Sequence, residues 1–150
     1  MENFIEGLKI TGQVNIVKTN SDGVVVEEHN VKNLVVSTGK TFIAAKMIAT
    51  TNSPAAMTHM GIGTNNTAVT STDTSLLGQT ARQSLSGATS SGAAITFTAT
   101  FPAGTGDGAI TEAGIFNAST SGTMLCRTVF PTVNKGSGDQ ITITWVITVS

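Results

Sequence analysis

The chain has 150 residues, of which 39% are hydrophobic and only 11% charged, and its formal net charge is −1. This length suits one domain with its own core, but ordinary soluble domains carry about 25% charged residues. Uncharged polar residues, threonine above all, take the place of the missing charges. Threonine suits a pleated surface, and a neighbouring protein can cover it at a lower desolvation cost than a charged surface. Eight scattered basic residues form no footprint for nucleic acid, and no apolar run reaches the roughly 18 residues of a membrane helix. We therefore expect neither nucleic acid nor a membrane as a partner.

The first strands are predicted near the N-terminus. Apolar and polar residues alternate between Leu8 and Ile16, and the tetrapeptide at 20–23, Asn-Ser-Asp-Gly, is typical of a hairpin turn. Valine-rich runs at 24–26 and 31–36 continue the strands. The chain also begins with acidic residues and no apolar h-region, so we predict no Sec-type signal peptide and folding in a reducing cytoplasm.

One helix is predicted after these strands. The apolar period changes beyond residue 37, and Phe42 and Ile43 fit a short helix near residues 38–49. Ser37 or Thr38 would be its N-cap, because a hydroxyl there can accept a backbone N–H. An extended run then follows at 57–62.

The middle of the chain predicts loops. Residues 64–92 are rich in threonine, serine, asparagine and glycine, with a short strand expected at 82–85. Because such loops and the N-terminus carry few core residues, we expect residues 1–18 to form an arm that contacts neighbours together with the 64–92 loops. Residues 1–150 are otherwise one domain.

The C-terminal half gives the strongest strand signal. In 95–101 and 141–149 apolar residues take the odd positions, and threonine takes nearly all the even ones. A period of two places the two kinds of side chain on opposite faces, as in half-buried strands of an antiparallel sheet. The fold class predicted from these patterns is mainly β, with antiparallel sheet.

A hairpin is predicted between these strands, at 110–117 and 123–130. Both of its faces are largely apolar, which is typical of a central strand or of a strand whose second face lies against a partner. Glu112 and Arg127 are its only charged residues. They fall close to opposite each other, so we predict a cross-strand ion pair, although the register is not fixed by the sequence.

Short motifs give no nucleotide or calcium site. Gly39-Lys40-Thr41 resembles the end of a phosphate-binding loop but lacks the glycine five residues earlier. Gly61-Ile62-Gly63 lacks the third glycine of a dinucleotide fingerprint. Asp107 is the only acidic residue in its glycine-rich loop, whereas calcium needs several oxygen ligands at fixed spacing.

The nucleophile and metal-ligand candidates are equally sparse. His29 and His59 are 30 residues apart, and with a single cysteine a structural zinc site is excluded. Cys126 lies among apolar residues and is expected to be a buried core residue. No G-x-S-x-G motif is present. We predict a protein that is not an enzyme, with no catalytic, cofactor-binding or metal-binding residues and no cofactor.

One stretch resembles a known class of proteins. Residues 110–117, Ile-Thr-Glu-Ala-Gly-Ile-Phe-Asn, followed by Met-Leu-Cys-Arg at 124–127, resemble a strand-turn-strand motif of small virion proteins of tailed bacteriophages. Met-Gly-Ile-Gly-Thr at 60–64 and Ile-Thr-Ile-Thr-Trp at 141–145 fit the same pattern. The resemblance covers roughly residues 57–150, and related segments occur both in capsid decoration (cement) proteins and in tail-fibre or knob proteins.

The resemblance implies a jelly-roll-like sandwich and a place on the virion. Decoration proteins of this kind sit on the outer capsid surface as homodimers or homotrimers and staple neighbouring major capsid proteins, which would be the partners of this chain. No catalytic residues come with the family. A fibre, knob or adaptor of the phage tail is the first alternative, and a β-sandwich binding module is the second.

Overall fold

The computed structural model describes residues 7–48 and 51–150. Within them the chain forms ten strands and one helix. They are β1 (Ile10–Thr19), β2 (Val25–Lys32), β3 (Leu34–Val35), α1 (Ser37–Lys46), β4 (His59–Gly63), β5 (Gln79–Ser84), β6 (Gly87–Ser91), β7 (Ala94–Phe101), β8 (Gly108–Phe116), β9 (Met124–Lys135) and β10 (Gln140–Val149). No helix in the described part of the chain is long and apolar enough to cross a membrane.

The strands form two five-stranded sheets. The first sheet has the order β2-β1-β10-β7-β6 and the second sheet the order β3-β9-β8-β4-β5. All neighbouring strands run antiparallel. One core cluster contains residues from the inner faces of both sheets, so the predicted antiparallel β-sandwich with one short helix is confirmed. The jelly-roll-like order of strands stays a prediction.

The strands with strict alternation lie at the centre of the first sheet. Trp145 of β10 is directly opposite Phe97 of β7, and both point into the core. The threonines of the two strands pair on the other face, where the hydroxyls of Thr100 and Thr142 are 3.2 Å apart. The period of two therefore predicts the inner and outer faces of these strands correctly.

The N-terminal segment differs from the expected arm. β1 pairs with β10 on one side and with β2 on the other, and Val14 and Ile16 are buried in the core. Residues 10–18 are therefore a structural part of the sandwich, because their alternation places two apolar side chains between the sheets. Residues 1–6 of the expected arm lie outside the described residues.

The helix begins without the predicted cap. Val36 occupies the N-cap position, no side chain caps the helix, and Ser37 is already its first residue. The Thr38 hydroxyl donates instead to the carbonyl of Met124 in β9. A Cβ atom on Gly39 would lie 2.0 Å from the Leu125 carbonyl oxygen. Close packing against β9 thus fixes the start of α1, and the helix ends at Lys46, within the predicted span.

The region expected to be mostly loop contains two strands. β5 covers most of the short strand predicted at 82–85. β6, with the sequence Gly-Ala-Thr-Ser-Ser, pairs with β7. Its residues lack apolar alternation, and its place in the sheet comes from backbone pairing, so the sequence pattern could not reveal it.

Candidate interaction surfaces and a buried charge network

The histidines and Asp107 are held in separate polar contacts. Nε2 of His29 lies 2.8 Å from a carboxylate oxygen of Glu27. The ring nitrogens of His59 contact the hydroxyls of Thr58 and Ser84 at 2.8 and 3.3 Å. Asp107 accepts a 2.7 Å hydrogen bond from the buried Nζ of Lys135. Among the described residues no group of three histidine, cysteine or acidic side chains is placed to hold a metal ion.

The two glycine motifs have structural roles. Gly39-Lys40-Thr41 lies inside α1, where the amide of Lys40 donates to the carbonyl of Val36. Gly61-Ile62-Gly63 is part of β4 and is paired with β5 on one side and β8 on the other. Both motifs thus lie within regular secondary structure, and neither forms a phosphate-binding loop.

Cys126 is a core residue, as the sequence predicts. Its side chain is fully buried on β9, and burial raises the pKa of its thiol. A thiol that stays protonated is a poor nucleophile.

The outer face of the β8–β9 hairpin is covered by the chain's own residues. The segment 64–78, which we call the covering loop, lies across it, and Leu76 forms a small buried cluster with Val36, Phe116 and Met124. Of the two explanations for a hairpin that is apolar on both faces, the central strand is therefore correct. A partner is not needed to cover it.

Glycines allow the covering loop to approach this face closely. A Cβ atom on Gly61 or Gly114 would lie 3.0 Å from a methyl carbon of Leu76. On Gly63 it would lie 2.4 Å from Oε1 of Glu112 and 2.5 Å from the carbonyl oxygen of Gly78. The loop and the sheet could not meet in this way if these strand positions carried side chains.

The predicted ion pair between Glu112 and Arg127 is formed beneath the covering loop. Nε of Arg127 donates to Oε2 of Glu112 at 2.9 Å, and Nη2 lies 2.9 Å from the same oxygen without the alignment of a hydrogen bond. Both side chains are completely buried. The register places Arg127 opposite Gly114, so the pair is diagonal.

The same two side chains hold the covering loop. Glu112 accepts hydrogen bonds from the amides of Leu77 and Gly78 at 3.1 and 2.6 Å. Arg127 donates through Nη1 to the carbonyl of Thr67 and to Oδ2 of Asp73, at 3.0 and 3.2 Å. Buried charges are tolerated when they are paired and hydrogen-bonded in this way.

Asp73 connects this network to the protein surface. Its side chain is 10% exposed. Burial by itself would raise the pKa of Asp73, but hydrogen bonds from the amide and hydroxyl of Thr70 and the positive charge of Arg127 outweigh it and bring the pKa below its ordinary value. The carboxylate is therefore stabilised in its charged form.

In the described part of the chain, no loop covers the outer face of the first sheet, and this face bears no charge across four strands. We call it the threonine face. Its residues are exposed or half-buried. They are Thr11, Gln13, Asn15 and Val17 of β1, Thr142, Thr144, Val146 and Thr148 of β10, Ala94, Thr96, Thr98 and Thr100 of β7, and Gly87, Thr89 and Ser91 of β6. Charged side chains on this side of the sheet first appear on β2, where Glu28 accepts a 2.7 Å hydrogen bond from Asn15.

A second open surface is a groove between the sheets, beside α1. This apolar groove has a volume of about 460 Å³ and receives side chains from both sheets and from the helix. Phe97 and Ile147 line it from the first sheet, Val35 and Leu125 from the second sheet, and Phe42 from α1. The sequence predicted the helix but not the groove, because no local pattern shows that α1 leaves this space open.

Comparison with known proteins gives no match. No family model, no curated protein and no solved structure matches the chain. Function is therefore inferred from the threonine face, the apolar groove and the motif resemblance of the β8–β9 hairpin.

Proposed function

We propose that the protein is a capsid decoration (cement) protein of a tailed bacteriophage, which binds the outer capsid surface and links neighbouring major capsid proteins. The observation that carries this proposal is the threonine face, an uncharged surface across four strands that residues 7–48 and 51–150 leave open. The resemblance of residues 110–127 to phage virion proteins supports the same class.

The chemistry of the threonine face favours a protein partner. Covering a hydroxyl costs much less free energy than covering a charge, and the cost is recovered when the hydroxyl finds a hydrogen bond. Threonine is also stiff at χ1, so little side-chain entropy is lost when it becomes ordered. The centres of protein interfaces are depleted in charged residues for the same reason.

The threonine face is smaller than a standard protein interface, so we expect it to be one of several contacts with the capsid. Strands of up to ten residues at about 3.3 Å per residue and about 4.8 Å between strands give a surface of roughly 500 Å². Standard interfaces bury about 800 Å² on each partner. We therefore propose that a homodimer or homotrimer presents several copies of the face to the capsid at once, since linked contacts bind more tightly than one.

A charge placed at the centre of the face tests this use of the surface. Heads purified without the protein are mixed with the wild-type chain, with Thr144→Lys or with Thr132→Lys, and bound protein is measured after sedimentation. Thr144 lies on the face, whereas Thr132 is an exposed residue of β9 in the second sheet. We expect Thr144→Lys to lose most of its binding and Thr132→Lys to bind like the wild type.

Other outcomes of this experiment contradict specific parts of the proposal. Equal binding of both variants would show that another surface contacts the capsid. If the wild-type chain binds isolated tails and does not bind heads, the decoration function is wrong and a tail component replaces it.

A further inference from the structure

We propose that the apolar groove binds a long-chain carboxylate, with the hydrocarbon chain between the sheets and the carboxylate at Lys46. This inference is independent of the capsid function, because the groove lies between the sheets and the threonine face lies on the outside of the first sheet. It assigns to the groove a ligand of defined chemistry, a single negative head on an unbranched apolar tail.

The walls of the groove fit a hydrocarbon chain. Its volume of about 460 Å³ lies within the range of roughly 300–1,000 Å³ that is typical of small-molecule sites. An open apolar groove leaves hydrocarbon surface in contact with water, and an apolar guest that covers this surface is bound favourably. Met57 and Met47 line the groove together with the aliphatic residues, and methionine adapts readily to the shape of a flexible guest.

The single charge of the groove specifies the head group. Among the described residues that line the groove, every side chain is apolar except that of Lys46. Lys46 is exposed on the last turn of α1, and its Nζ lies 6.0 Å from the centre of the Phe42 ring, so the charge stands beside the apolar space. None of the ion pairs found within the described residues involves Lys46. A carboxylate can pair with this ammonium group while its tail lies along the apolar walls.

The fluorescence of Trp145 provides a direct measure of ligand binding to the groove. It is the only tryptophan of the chain, it is buried, and it lies opposite Phe97, whose ring lines the groove. A brominated C18 fatty acid, titrated into the purified protein below its micelle concentration, is expected to quench Trp145 fluorescence saturably. Unbrominated dodecanoate should reverse the quenching by competition.

Matched variants test the role of Lys46. Lys46→Glu should weaken dodecanoate binding at least tenfold, because the carboxylate then meets a like charge. Lys40→Glu changes an exposed lysine on the same helix that does not line this groove, and it should bind like the wild type. Dodecanol, which has the same chain and no charge, should bind the wild type and Lys46→Glu equally.

Three results would overturn the proposal. The first is the absence of saturable quenching in the wild type. The second is equal weakening by Lys46→Glu and Lys40→Glu, or dodecanol binding as tightly as dodecanoate, which would leave the carboxylate without a site. The third is quenching that disappears as the protein concentration rises and a dimer forms on a sizing column, which would assign the groove to a second copy of the chain.

Discussion

The charged residues beneath the covering loop form some contacts that the sequence predicts and others that it does not. Glu112 and Arg127 are the only charges within residues 110–130, so their pairing could be predicted from proximity alone. The diagonal geometry of the pair could not be predicted from the sequence, because it depends on bulges in the β8–β9 register. Asp73 is 54 residues away from Arg127 in the chain, and no local pattern connects them.

Removing the arginine should destabilise the protein strongly. Arg127→Met keeps the length and much of the volume of the side chain but leaves Glu112 charged and buried without its partner. Breaking one side of a buried ion pair costs roughly 3–5 kcal/mol of unfolding free energy. Urea unfolding followed by circular dichroism measures this loss.

A surface pair provides the control for this change. Lys18 lies 3.6 Å from Glu27 and both side chains are partly exposed, so Lys18→Met should cost less than about 1 kcal/mol. Similar losses for Arg127→Met and Lys18→Met would show that the buried network contributes little to stability.

Asp73 should make the protein sensitive to acid. Its pKa in the folded protein lies below the ordinary value of 3.8, so the unfolded chain takes up a proton more readily. The stability that Asp73 contributes is therefore complete above that value and is lost as the pH falls through the folded pKa. Arg127 and the amide and hydroxyl of Thr70 are the groups that face this carboxylate.

The variant Asp73→Asn isolates this effect. Urea midpoints measured from about pH 6 down to about pH 2 should fall less steeply for Asp73→Asn than for the wild type, because one linked proton has been removed. Parallel curves for the two proteins would mean that Asp73 is not responsible for acid sensitivity.

At the scale of secondary-structure elements, the covering loop explains why the hairpin is apolar on both faces. The loop buries Leu76 against Phe116 and Met124, and its amides bind Glu112. Alternation predicted β7 and β10 well, because one face of each strand is buried in the core and the other is polar. It could not distinguish a loop of the same chain from a partner, since both remove the same surface from water.

Strand glycines give a prediction for this element. Gly63→Ala would place a methyl group against Glu112 and the Gly78 carbonyl, and overpacking of this kind typically costs about 1–3 kcal/mol. Gly87→Ala is the matched control, because the nearest atom to its Cβ would be 3.9 Å away and its effect should stay within about 0.5 kcal/mol. Thermal or urea unfolding compares them, and equal stabilities would show that the loop moves to accept the methyl group.

At the scale of the whole molecule, the two sheets differ in what covers their outer faces. The second sheet carries the covering loop and a buried charge network, whereas no described segment covers the threonine face of the first sheet. Low charge and threonine alternation predicted such a surface from the sequence. The sequence did not predict which of the two sheets has the open outer face. This depends on which sheet residues 64–78 cover, and the composition of these residues does not indicate it.

The proposed place of this protein is on the capsid surface, and its copy number there is the most direct test. Purified virions are analysed by quantitative gel electrophoresis, with the major capsid protein as the internal standard, and by locating the sandwich in cryo-EM density. A decoration protein that links neighbouring capsid proteins is expected in hundreds of copies distributed over the head. A few copies at a single vertex, or none on the capsid, would contradict the proposal.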